Sequence, residues 1–172
     1  MHLAEFRTVV LCADAIGVPA LDTARRPGVL DPAEVTARLQ AVQSPKPDHL
    51  RALVLLWHDQ LEAAHAISQV QDDPLGSYLH GMMHRREGDY GNAKYWFRRA
   101  GPQPGLTSLA AVVAGRPGQA FLARCGQWQA DAFVDCCASA GTGTPDPARE
   151  RWRSLQAEEI LTLCGSLLTH LQ

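Results

Sequence analysis

Residues 146–172 read DPARERWRSLQAEEILTLCGSLLTHLQ. Asp146 is a side-chain cap, Pro147 suits a first helical turn, and Glu150 adds an acid near the positive end of the helix dipole. Trp152, Leu155, Ile160, Leu163, Cys164, Leu167 and Leu171 then recur at helical spacing. The same devices stand at Asp31-Pro32-Ala33-Glu34, where the acid falls three residues after the cap. Between these ends the pattern predicts a long helix over about 48–71 and further helices over 75–87 and 89–100. Shorter ones follow near 106–114, 118–124 and 127–138. Strand signals are scarce. Thr8-Val9-Val10-Leu11 could form one, but a lone strand has nothing to pair with, so it reads as helix. Gly and Pro punctuate 17–27, 45–47, 101–105 and 141–147. The expectation is an all-α fold, a single domain over 1–172 with seven or eight helices.

Composition narrows the function classes. A net charge of -2 gives no electrostatic reason to bind nucleic acid or an anionic surface. The longest uncharged apolar run, Leu53–Trp57, is far short of the roughly 20 residues of a membrane span. Glu5, Arg7 and Asp14 break up any signal-peptide pattern at the start. The five cysteines include no C-x-x-C pair and read as reduced, mostly buried thiols of a cytoplasmic protein.

The centre of the chain carries the sharpest motif. Residues 88–101, GDYGNAKYWFRRAG, resemble the second half of a tetratricopeptide repeat, with Gly88, Tyr90, Ala93, Phe97 and Ala100 at the expected offsets and Pro104 beyond. The run 93–101 is similar to the shorter SEL-type repeats as well. The resemblance implies a helical hairpin with Ala93 at a close helix–helix contact. More broadly, W-H-D-x-L, H-x-x-S-Q, H-x-x-M-H-R-R-E and D-Y-x-N-A-K-Y-W-F-R-R over 57–104 resemble a group of uncharacterised bacterial and fungal proteins, which brings no activity with it.

Titratable residues line up in two stripes. His58, Glu62, His65 and Gln69 share one face of the 48–71 helix, and Ser77, His80, His84 and Glu87 share one face of the next. A short loop makes these helices antiparallel neighbours, setting His65 near His80, Glu62 near His84 and His58 near Glu87. Three uses compete for this arrangement. One is a divalent metal site of Glu62, His65, His80 and His84, since His-x-x-x-His and Glu-x-x-His are helix-bundle ligand spacings. Another is a polar groove for a protein, a peptide or a small anionic ligand. Its residues would be His58, Gln69, Glu87, Arg85, Asn92 and Tyr95, and its arginine forks suit carboxylates or phosphates. The third is a hydrogen-bonded network that only locks two helices together. The resulting expectation is a binding or scaffolding protein, with a metal-dependent enzyme as the alternative.

Overall fold

The computed structural model describes residues 1–140 and 146–168, so the Gly/Pro punctuation at 141–145 and Leu171 lie outside the described residues. Among the described residues there are ten α-helices: α1 Leu3–Val9, α2 Ala13–Ile16, α3 Pro32–Leu39, α4 Pro47–Trp57, α5 Leu61–Ser68, α6 Pro74–Glu87, α7 Tyr90–Ala100, α8 Thr107–Ala114, α9 Ala130–Ser139 and α10 Pro147–Leu167. The fold is all-α, with more and shorter helices than periodicity alone predicts. No described helix is long and apolar enough to cross a membrane.

The capping signals translate directly. Asp31 accepts from the Glu34 N–H while the Glu34 carboxylate accepts from the Asp31 N–H, a complete capping box. Asp73, Asp89 and Asp146 cap α6, α7 and α10 in the same way through backbone N–H groups. Thr8 and Val9 extend α1, as expected. The exception is 118–128, where a 3-10 turn leads into a small antiparallel hairpin, Ala123 facing Trp128 and Arg124 facing Gln127. Its two-residue turn, Cys125-Gly126, has positive φ at both positions, the backbone that a tight hairpin requires.

The predicted 48–71 helix is broken. α4 ends at Trp57, Asp59 takes the left-handed backbone (φ 56°), and α5 restarts at Leu61. The cause lies far away in the chain. The fully buried Asp59 carboxylate accepts from Arg26 Nε (2.6 Å), from Arg86 (2.7 Å), and from the backbone N–H groups of Ala20 and Arg26. Arg86 also donates to Leu56 O at 2.7 Å, and Arg26 donates to Trp57 O. Arg26 therefore satisfies Trp57 O at the end of α4, and Arg86 adds a second donor to Leu56 O, which also accepts from the Asp59 N–H.

α6 runs through the middle of the molecule and packs most heavily on α7. Gly88 turns the chain between them in the left-handed conformation (φ 81°). Ala93, Met83 and Leu79 are fully buried, and Met82 nearly so. A β-carbon on Gly81 would stand 2.9 Å from the Phe97 ring and 3.2 Å from the Ala93 carbonyl, so the helices meet here at closest approach.

Ala93→Leu should therefore overpack the hairpin and cost about 1–3 kcal/mol. A lowered urea midpoint checks this, and an unchanged midpoint would mean that α6 and α7 are not in contact. Asp59 gives a second prediction, for pH. Burial alone would raise its pKa, but the Arg86 charge and the Arg26 hydrogen bond outweigh it and hold the carboxyl below its ordinary value. Its stabilisation is present above the unfolded pKa near 3.9 and is lost as pH falls through the depressed native value. Unfolding free energies measured from about pH 5 downward should fall in wild type, and Asp59→Asn should flatten that slope.

Candidate metal centre

Three imidazoles converge where α5 crosses α6. His80 and His84 lie four residues apart on one face of α6, and His65 reaches them from α5. One ligand nitrogen from each lies within 4.8 Å of the others. His65 Nε2 stands 2.9 Å from His80 Nε2. The rings form a layer, with centroids 4.7 Å apart for His65–His80, 4.7 Å for His80–His84 and 5.4 Å for His65–His84. Trp96 of α7 closes the back, stacked on His80 at 4.2 Å.

Neighbouring groups orient the rings. Asn92 Nδ2 donates to His84 Nε2 at 3.1 Å, which leaves the His84 proton on Nδ1. Glu87 Oε2 lies 3.0 Å from that Nδ1, near enough for attraction but out of line for a hydrogen bond. Its other oxygen lies 3.6 Å from His65 Nδ1. His80 is 8% exposed and its Nδ1 has no partner. The less costly tautomer leaves that nitrogen as a bare acceptor, so His80 Nε2–H donates to His65 Nε2. Burial, together with the neighbouring His84 and His65 charges, lowers the His80 pKa to about 4. His80 is thus neutral near pH 7, the form that binds metals.

The geometry sets how an ion would sit. A tetrahedral ion about 2.0–2.1 Å from each nitrogen keeps the nitrogens about 3.3 Å apart. The 2.9 Å pair is slightly inside that spacing, and the widest separation must close by ring rotation. The His65 side chain is 29% exposed and has room to turn. The buried side of the centre is walled by Trp96, and the open side lies at His65 and Glu87.

The structure divides the residues singled out by pattern. It brings together His65, His80, His84, Glu87 and Asn92. Tyr95, 54% exposed, stands at the perimeter with its ring edge-on to Trp96 at 5.4 Å. Glu62 is not part of the three-histidine group; it is exposed and lines a neighbouring groove with Arg25 and Glu87. Gln69 is exposed at the C-terminal cap of α5, where the helix has already ended. His58 is fully buried away from the stripe because the break at Asp59 separates it from α5. Its Nε2 donates to Val10 O (3.0 Å) and its Nδ1 accepts from the Leu30 N–H (3.3 Å). Arg85 cannot edge a groove. It is buried on the other side of α6, 2.5 Å from the buried Glu159 carboxylate and over the Phe133 ring at 4.5 Å.

Pattern reading did not set Trp96 beside the histidines, although it lies one turn beyond Asn92 on the same face of α7. Asp59 and Glu159 were also missed, since nothing local marks an acid that pairs with an arginine dozens of residues away. No protein family, curated protein or solved structure matches this chain.

The protonation of His80 is directly measurable. Its imidazole nitrogens should keep their neutral NMR signature on acidification past the ordinary midpoint near 6.5 and titrate close to 4. A midpoint at or above 6.5 would show that the ring is solvated and the cluster open.

Proposed function

We propose that this chain is a helical binding protein whose ligand is a divalent transition-metal ion, held by His65, His80 and His84. The observation that carries the reading is the convergence of three imidazole nitrogens from two helices within 4.8 Å. An all-imidazole set suits zinc, copper, nickel or iron(II) rather than magnesium or calcium. For His84 to bind an ion through Nε2, Asn92 Nδ2, which donates to that nitrogen, would have to give way, with Glu87 beside Nδ1 then orienting the ring as an outer partner of a metal-bound histidine. The α6–α7 hairpin serves as a tetratricopeptide-like scaffold, and a cytoplasmic setting suits the buried thiols of Cys136, Cys137 and Cys164.

Metal-dependent catalysis is the second reading, and one observation favours it. A groove of about 460 Å³ between the 23–32 segment and the start of α5 reaches Glu87, beside the open edge of the centre. Three protein ligands leave a position for water, and a substrate could lie in that groove.

Calorimetry with zinc on metal-free protein tests the binding reading. His80→Ala and His84→Ala should abolish tight binding, and Glu87→Gln should weaken it by about 10–100-fold. Glu62→Ala should leave affinity unchanged. Zinc binding that survives both histidine substitutions would sink the assignment.

A further inference from the structure

On the other side of the α6–α7 hairpin lies a cavity of about 480 Å³, within the size range of small-molecule sites. It opens between the C-terminal end of α7, the 101–107 connection and the small hairpin that leads into α9. Its apolar walls combine three aromatics, Tyr78, Phe97 and Trp128, with Leu106 and two prolines, and the Tyr78 and Phe97 centroids lie 4.8 Å apart.

The polar groups around it decide what it would accept. Arg98 and Asp131 are the charged side chains of the lining, and they pair with each other at 3.0 Å across the rim. Behind the floor, Glu159 is held by Arg85, by the Tyr78 hydroxyl and by Trp128 Nε1. No uncompensated charge therefore faces the space, and an ionic ligand would lose its hydration without gaining a partner. Gln103 and Gln129 also line the cavity. Gln103 Nε2 donates to Ala100 O and Gly101 O, and Gln129 Nε2 donates to Gln127 O. Both Gln103 N–H groups are thereby used and its oxygen is left as an acceptor for an N–H, while Gln129 keeps its oxygen and one further N–H.

We infer that this cavity is a binding site for a neutral, planar aromatic molecule bearing N–H donors. The aromatic walls take the ring, and the two glutamine oxygens take the donors. The site is independent of the histidine centre: Tyr78 and Phe97 face it, whereas His80 and Trp96 face the imidazole layer.

A matched series tests the inference on the full chain: indole-3-acetamide, indole-3-acetate and tryptamine share one ring and differ in charge. The readout is the Trp128 indole N–H resonance, assigned with Trp128→Phe. The amide should move that resonance saturably and bind at least about tenfold more tightly than either ion, reflecting the uncompensated charge each ion would bury. Thr107→Trp, at an exposed position on the rim, should block the shift, and Gln103→Ala should weaken it, both with an unchanged helical spectrum. Three results would overturn the inference: an unmoved Trp128 signal into the millimolar range, equal binding of the three compounds, or full binding to Thr107→Trp. Zinc titrations of the same samples are read separately, so failure here leaves the metal reading standing, and the reverse holds too.

Discussion

Asp59 and its two arginines organise this molecule. A carboxylate with no solvent exposure must be paired, and the cost of removing one partner from such a group is about 3–5 kcal/mol. Arg86 supplies a charge from α6, and Arg26 supplies one from the segment that follows α2. Between them they also donate to Leu56 O and Trp57 O, the last carbonyls of α4. The chain at residue 59 is thereby held in a conformation that ends one helix and re-aims the next. That re-aiming turns α5 so that His65 meets His80 and His84. Had the helix run straight, His58 and His65 would share a face, and His58 could not occupy its buried place between Val10 and Leu30.

The same economy governs α6, which is buried on nearly all sides. Arg85 and Arg86 are consecutive, so about 100° of helical rotation separates them, and each finds a different carboxylate: Glu159 on α10 and Asp59 at the α4–α5 break. His80 and His84 occupy a third sector. Rotating or sliding α6 would strand at least one buried charge, which makes alternative packings costly even where apolar contacts would tolerate them. Tyr78 ties the arrangement to Trp128 through Glu159, and so the small hairpin at 123–128 is anchored to the centre of the fold.

What was legible in the sequence was local. Proline-bearing caps such as Asp31-Pro32 and Asp146-Pro147 work through hydrogen bonds spanning a few residues, so pattern reading places those helix starts well. The α6–α7 hairpin was legible for the same reason, because Gly88, Ala93 and Phe97 act within one supersecondary unit. His80 and His84 were found by spacing alone, and His65 by the short loop that makes α5 and α6 neighbours. The break at Asp59 was not legible, since its causes stand 27 and 33 residues away. From that omission follows the misplacement of His58; Glu62 shares α5 with His65, so its exposed position away from the imidazoles is a separate miss. Arg85 was misread differently: on a surface helix it would be a solvated cation, and only the centrality of α6 makes it a buried one.

The histidine layer is costly as a purely structural device. A buried ring nitrogen without a partner, as at His80 Nδ1, costs about 1–3 kcal/mol, and apolar side chains of similar volume would avoid that. His65 and His80 moreover share a single proton across 2.9 Å, a hydrogen bond whose net worth is about 1 kcal/mol and does not offset the burial of both rings. The bare His80 Nδ1 lone pair is a feature that a nearby positive charge would relieve. Protonation is a poor remedy, because burial and mutual repulsion push the His80 pKa down to about 4. A divalent ion would supply positive charge without adding a proton, and would draw the nitrogens together where a proton can bridge only two of them. The feature that makes this cluster unfavourable for packing alone is the one that makes it suited to hold a metal.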